Sequence, residues 1–361
     1  MPNFDLSSLA LAAVCPGNEI LYDDKGMPSI MVKIPKMTYA QLGLGESNAV
    51  HPAFIVNGQE VDAIWISKYQ NIVVNGRAYS LPAQDPRASI NFDEARGCCE
   101  AKGRGWHLMT RAEWALLALW CKNNGFLPWG NNNYGKDTRE TNYKAIPTYF
   151  DEQGRIARVA TGTGPLTWSH DKSPAGIWDL NGNVLEWVGG MRLVYGELQV
   201  LVNNNAADSV NSQSSGSSEW KAIDGATGEF ITPNGNGTTP NSLKLDYVSN
   251  AWKWISGVIS DKADSSRYCS FESVTADEGL HEEAIFKLKA LALLKDDNTP
   301  NAYEGDVFYA NNGAAERLFS CGGFWNYGTF AGVFSLYGYN PRSFVSANLG
   351  FRSAYVNLPP V

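Results

Sequence analysis

Twelve consecutive residues constrain this chain more than any others: Gly176-Ile177-Trp178-Asp179-Leu180-Asn181-Gly182-Asn183-Val184-Leu185-Glu186-Trp187. The Asn181-Gly182 pair turns the chain, and the tryptophans on either side can anchor that turn in a core. A tight turn between two strands whose tryptophans simply pack would satisfy the same residues. Either arrangement needs a core large enough to take two indoles. With 361 residues, 44% hydrophobic and 12% aromatic, the chain can build one, as a large domain with insertions or a core with a small appendage. Charged residues make up 18%, below the roughly 25% of ordinary soluble domains, and disorder is excluded for most of the length.

Several function classes drop out early. The net charge is -8, which repels a phosphate backbone, and no basic stripe is present, so nucleic acid is not an expected partner. No run of 18 apolar residues occurs, so no membrane-spanning helix and no membrane insertion are expected. The apolar stretch from Leu9 to Cys15 follows Asp5 without any Lys or Arg, which is not the pattern of a signal peptide. Val14 is the wrong residue immediately before Cys15 for a lipoprotein cleavage site. The six cysteines (Cys15, Cys98, Cys99, Cys121, Cys269, Cys321) show no metal spacing and read as buried thiols. The four histidines are equally scattered, so no His-rich metal centre is written in the sequence.

Strand and turn patterns dominate. Met27 to Met37 reads as a strand ended by Pro35, and Ala63 to Tyr69 alternates as a second. Asn91 with Glu94 forms a capping box for a short helix stopped by Gly103. Thr110 with Glu113 forms a better one, followed by Trp114, Leu117, Ala118 and Cys121 on one face and a stop at Gly125. Residues 203–240, rich in Asn, Ser, Gly and Thr, suit exposed loops or polar hairpins. A third helix is expected around His281 to Lys295, with Ile285, Leu288, Leu291 and Leu294 along one side.

Outside that polar stretch a series of motifs appears in order: Met31-Val32-Lys33-Ile34-Pro35, Trp65-Ile66-Ser67-Lys68-Tyr69, Asn91 to Gly103, Leu108 to Trp114, Pro128-Trp129-Gly130-Asn131, and the twelve residues 176–187. The series resembles the formylglycine-generating-enzyme branch of the C-type lectin fold. The resemblance implies an α+β C-type lectin fold beginning near residue 26, interrupted by an insertion over about 191–305. Residues 1–25 would then form a short N-terminal arm or oligomerisation element.

The last 44 residues separate members of that fold. They hold two charged residues, Arg342 and Arg352, where 18% of 44 would give about eight. Gly322-Gly323-Phe324-Trp325-Asn326-Tyr327-Gly328-Thr329-Phe330-Ala331-Gly332-Val333-Phe334, then Arg342-Ser343, then Gly350-Phe351-Arg352-Ser353-Ala354, resemble the variable region of proteins diversified by a retroelement. In that family template adenines are miscopied, so Asn-type codons become a restricted set that excludes Lys, Glu, Gln, Met and Trp. By that resemblance the variable region spans about 318–356. The varied slots are Phe324, Tyr327, Phe330, Tyr337, Tyr339, Asn340, Phe344, Ser346 and Asn348, with Thr329 and Ser335 as further candidates. Gly322, Gly323, Trp325, Ala331, Gly332, Val333, Phe334, Arg342, Gly350, Phe351 and Arg352 would be the fixed frame. Gly338 departs from the pattern, which expects an apolar residue there.

Aromatic residues in the last strands of a domain are more often core than ligand-facing. A core, however, does not accept Phe, Tyr, Asn and Ser in closely spaced slots without orphaning polar groups, whereas a binding face uses that mixture. The resemblance therefore implies a ligand-binding protein, receptor-binding or adhesin-like, on a phage tail tip or a bacterial surface, facing an unidentified protein or cell-surface receptor. Phage tail proteins of this kind are commonly trimers, so a homo-oligomer is expected through the arm or the insertion, although no heptad seam fixes the number.

The competing reading is an enzyme of the same fold. Formylglycine-generating enzymes use a pair of C-terminal cysteines to bind copper and activate oxygen, and the tail here has Cys321 alone. The related sulfoxide synthases need a His cluster that scattered histidines do not supply. A calcium lectin would carry Glu-Pro-Asn and Trp-Asn-Asp, and neither occurs. No catalytic residue, no catalytic metal and no cofactor are expected, which leaves room only for a structural calcium ion in a loop.

Overall fold

The computed structural model describes residues 6–143 and 145–358. Two sheets organise it. A five-stranded antiparallel sheet runs in the spatial order Asn18–Tyr22, Pro28–Pro35, Ala63–Ser67, Ser353–Val356, Trp106–Leu108. The last strand of the chain thus lies between two early ones, so this sheet closes only when the tail returns. The expected strands at 27–37 and 63–69 are both present and stop at Pro35 and Ser67.

Helix α1 (Leu6–Val14) precedes the first strand and buries none of its residues. Of the expected arm, residues 1–5 lie outside the described residues, and Asn18–Tyr22 is a strand of the five-stranded sheet rather than part of an arm. Helices α2 (Phe92–Glu100) and α3 (Arg111–Asn123) begin at the two capping boxes, where Asn91 and Thr110 each accept from the backbone N–H three residues on and Glu94 and Glu113 reach back. Helix α3 is buried on almost every side, and Trp114 Nε1 donates to the Val333 carbonyl at 2.8 Å, tying it to the tail.

The second sheet has twelve strands, ordered along its main path as Arg267–Ser270, Val307–Ala310, Leu336–Asn340, Arg317–Cys321, Leu185–Val194, Glu197–Val200, Lys244–Val248, Ala251–Ile255 and Thr275–Ala276. Leu349–Phe351 pairs in parallel with the start of Leu185–Val194. The segment at 191–305 is therefore woven into the sheet on both sides of the tail strands. Strand Leu185–Val194 crosses its expected boundary, because the same hydrogen-bonded ladder continues through it. The third helix, α4 (Glu282–Ala290), is shorter than the expected 281–295. The buried Arg111 guanidinium takes the Leu291 and Ala292 carbonyls at 3.0 and 2.6 Å, which turns the chain out of the helix there.

The twelve-residue motif is more than a turn with packed indoles. Its polar side chains form one buried network. Arg352 from the tail donates to Glu186 through Nε at 2.5 Å and Nη2 at 2.6 Å, and through Nη1 to the Ser67 carbonyl at 3.0 Å. Gln70 donates to Glu186 at 3.0 Å and accepts from Asn183 Nδ2 at 2.9 Å. Asn183 in turn accepts from the Val159 backbone, and Asn181 donates to the Pro128 carbonyl. Gly182 sits at φ +76°, and a Cβ there would come within 2.1 Å of the Asn131 carbonyl oxygen, so glycine is required twice over. Trp187 Nε1 donates to the Ile90 carbonyl, and its ring meets Phe92 edge-on.

Two outcomes follow from this network. Arg352→Met strands a buried Glu186 carboxylate and should cost about 3–5 kcal/mol in urea denaturation, with Glu186→Leu in the same chain restoring most of it. If the two losses simply add, the pair does not act as a unit. Burial pushes the Asp179 carboxyl up to about 6, against the Gly162 N–H and Arg352 that favour its charge. A raised folded pKa gives stability that is complete below the unfolded value of 3.8 and lost as pH rises through about 6. Wild type should therefore lose about 3 kcal/mol relative to Asp179→Asn between pH 3.5 and 6.5, measured by denaturant midpoints, and parallel curves would refute it.

Candidate functional site

The tail strands place a row of side chains on one face of the large sheet. Tyr268 stands opposite Tyr309, Tyr309 opposite Tyr337, Tyr337 opposite Ser320, Ser320 opposite Trp187, and Trp187 opposite Phe351. Directly opposed residues share a face, and their alternating neighbours Phe308 and Leu336 point into the main core. The row runs from solvent to interior: Tyr268 is 46% exposed, while Tyr337, Trp187 and Phe351 are fully buried.

Residues 322–335 fold over the exposed half of this row. Phe324 and Tyr327 meet at 4.2 Å between ring centroids, Tyr327 lies 5.5 Å from Tyr337, and Phe330 lies 6.0 Å from Tyr327 and 5.7 Å from Tyr268. Tyr339 reaches Tyr309 at 5.5 Å. The loop is held from below. The buried Asp306 carboxylate accepts from Phe334 N at 2.6 Å, and a Cβ on Gly332 would fall 1.9 Å from Asp306 Oδ1, so only glycine lets the chain approach. Burial drives the Asp306 carboxyl well above its usual range despite that N–H. Burial likewise raises Tyr327, Tyr337 and Tyr339, with a hydrogen bond donated to Tyr309 helping at Tyr327, so these phenols stay protonated at neutral pH.

The structure brings together Phe324, Tyr327, Phe330, Tyr337 and Tyr339. Thr329 is exposed beside them, and Phe344, Ser346 and Asn348 stand on the following loop at 341–348, where Phe344 is 37% exposed. Three expected slots fail the requirement of exposure. Tyr337 is the fully buried floor of the ring cluster, its hydroxyl donating to the Phe330 carbonyl at 3.3 Å. Ser335 is locked inside, donating to the same carbonyl and accepting from Val307 N. Asn340 lies past a register shift in the ladder, opposite the buried Leu318, and is buried itself. The frame residues Trp325, Val333, Phe334 and Phe351 are buried, and Arg342 is clamped by Glu316 and Asp93. At Gly338 an added Cβ would lie 2.5 Å from the Phe319 ring, which explains the missing apolar residue. Sequence reasoning missed Tyr268, Tyr309 and Asp306. Alternation in Phe308-Tyr309-Ala310 was the available signal for Tyr309; Asp306 gave none.

Residues 47–200 match the family model described as "Sulfatase-modifying factor enzyme 1-like domain". That segment has the formylglycine-generating-enzyme form of the C-type lectin fold. The matched region holds α2, α3 and the twelve-residue motif. Among solved structures, Treponema denticola variable protein 1 is similar at 12% identity and a TM-score of 0.35, covering 95% of this chain and all of that one. PvdO from Pseudomonas aeruginosa is similar at 13% identity and 0.31, covering 95% and 99%. The Major Tropism Determinant P3c variant is similar at 11% identity and 0.30, covering 94% of this chain and 71% of that one. No curated protein matches.

The tail's one thiol is poorly placed for chemistry. Cys321 is fully buried, and burial pushes it up to about 11 although Arg111 Nη1 lies 3.2 Å away, so it is a protonated thiol at neutral pH. Among the described residues no three His, Cys, Asp or Glu side chains converge as a metal ion would require.

The graded exposure sets the energetics of substitution. Phe330→Ser and Phe344→Ser should each change stability by about 0.5 kcal/mol or less, whereas Tyr337→Ser should cost about 3–5 kcal/mol by emptying the floor of the cluster. Equal losses at all three in thermal denaturation would mean the whole ring cluster is structural.

Proposed function

We propose that this chain is a ligand-binding protein that displays a retroelement-diversified surface on a C-type lectin scaffold. One observation carries the reading: Phe324, Tyr327, Thr329, Phe330 and Tyr339 are half-buried or exposed on top of a buried floor, while the frame residues interleaved with them are buried. Side chains in that position change at little cost to the fold, and those under them do not. Rings with two torsions supply contact area at low entropic cost, and protonated hydroxyls supply directed hydrogen bonds.

The partner in this reading is a protein or cell-surface receptor, met from a phage tail tip or a bacterial surface. Among the described residues no helix is long and apolar enough to cross a membrane. Self-association through the exposed apolar residues Leu6, Leu9 and Val14 of α1, as a trimer, would multiply the affinity of a small single site. An oxidase working through paired thiols is disfavoured by the buried, protonated state of Cys321.

A displayed library tests the reading. Randomising Phe324, Tyr327, Thr329, Phe330, Tyr339, Phe344, Ser346 and Asn348 together should leave most members folded by protease resistance and should yield binders to an unrelated protein after selection. Randomising Ser335, Tyr337 and Asn340 should leave few folded. A library that collapses at the first set removes the proposal. In the neighbouring DNA the reading expects a reverse transcriptase gene and a near-copy of the tail coding sequence differing at adenines.

A further inference from the structure

Tyr309 is the ring on which the tail rings converge. It lies 5.9 Å from Tyr337 at an interplanar angle of 16°, 5.5 Å from Tyr339, 6.3 Å from Tyr327 and 4.7 Å from Tyr268. Neither Tyr309 nor Tyr268 lies in the variable tail: Val307–Ala310 precedes it, and Arg267–Ser270 belongs to the segment interpolated before it. Both nonetheless enter the row that the tail strands continue, because their strands pair in register with one another and with Leu336–Asn340.

The two strands hold these rings differently from the tail loop. Val307–Ala310 is hydrogen-bonded along both edges. Arg267–Ser270 is the outer strand of the path, and besides its ladder to Val307–Ala310 two of its carbonyls take side-chain donors: Trp252 Nε1 donates to the Arg267 carbonyl at 3.2 Å, and the Tyr247 hydroxyl donates to the Tyr268 carbonyl at 3.1 Å. What this strand presents outward is the Tyr268 ring. That ring is 46% exposed, more than Phe330 at 39%, which it meets at 5.7 Å. A large ring left open on a strand held by its ladder and by two side-chain donors is pre-ordered for contact, since its backbone loses little further freedom on binding.

We propose that Tyr268 and Tyr309 are fixed contact residues of the binding face: an invariant aromatic anchor supplied from outside the variable tail. Tyr268 touches the ligand directly, and Tyr309 touches it in the gap between Tyr327 and Tyr339. The six rings Tyr268, Tyr309, Phe324, Tyr327, Phe330 and Tyr339 carry no formal charge, so the face suits an uncharged segment of a partner protein, such as a loop of apolar and amide groups, and not an acidic or basic one. The segment interpolated before the tail thereby acquires a role in recognition, and every tail variant shares one part of its contact surface. This inference rests on the proposed binding function.

The test uses the intact chain and, as probe, a 12-residue peptide selected on it from a random library whose binding is lost on Phe330→Ser. Tyr268→Ser and Tyr309→Ser should each weaken that peptide by about tenfold or more, as ring truncations at the centre of an interface do, while Tyr268→Phe and Tyr309→Phe keep the affinity within about threefold. Thermal denaturation separates contact from packing: Tyr268→Ser should leave the melting temperature within about 2 °C of wild type. A peptide sensitive to Phe330→Ser and Tyr339→Ser but indifferent to both Tyr268→Ser and Tyr309→Ser overturns the anchor and leaves the binding face intact. Failure to select any peptide whose binding Phe330→Ser weakens counts against the binding face itself, and the anchor falls with it.

Discussion

A buried carboxylate and a buried guanidinium, Glu186 and Arg352, join the middle of this chain to its end. Two charges taken from water cost several kcal/mol each unless their geometry and remaining hydrogen bonds are nearly complete. Here Arg352 also bonds the Ser67 carbonyl, and Glu186 also accepts from Gln70. The consequence is positional. Arg352 can sit there only if Leu349–Phe351 lies beside Leu185–Val194 and Ser353–Val356 is threaded between two strands made much earlier. The pair fixes where the tail enters the sheets, and everything between Cys321 and Leu349 must close within that fixed span.

That closure divides the tail into a frame and a display. The frame is the part that meets something immovable: Val333 against Trp114, Phe334 and Gly332 against Asp306, Arg342 between Glu316 and Asp93. The display is what remains above, a set of rings resting on Tyr337 and Tyr309. Its uppermost rings are held by their neighbours more than by the core, so they tolerate replacement, and the same looseness toward the core is exposure toward a partner. Stability and recognition are in this way assigned to different residues of one short segment, alternating along the sequence.

Local chemistry reached the sequence intact. Both capping boxes start helices where Asn91 and Thr110 stand, since a cap is decided by side chains within three residues of each other. The strands at Pro28–Pro35 and Ala63–Ser67 followed from their residues for the same reason. The frame positions Trp325, Val333, Phe334 and Phe351 were implied by the resemblance of the tail, and all four are buried. Helix α4 was overextended because its end depends on Arg111, 180 residues away in sequence, and nothing near Leu291 announces that contact.

By itself the sequence determined parts of the scaffold: where the early strands at Pro28–Pro35 and Ala63–Ser67 run, where helices α2 and α3 begin, and which tail residues are large and apolar. Only the tertiary structure decided which polar and aromatic tail residues face outward. Tyr337 and Tyr339 are chemically identical and two residues apart on the same side of one strand, yet one is the sealed floor and the other part of the open face, because the loop carrying Tyr327 and Phe330 covers the first and stops short of the second. Tyr268 and Tyr309 joined that face through strand register with a partner strand that lies later in the chain. Register across a sheet is a property of the assembled ladder, not of either strand, and no local pattern in the sequence encodes it.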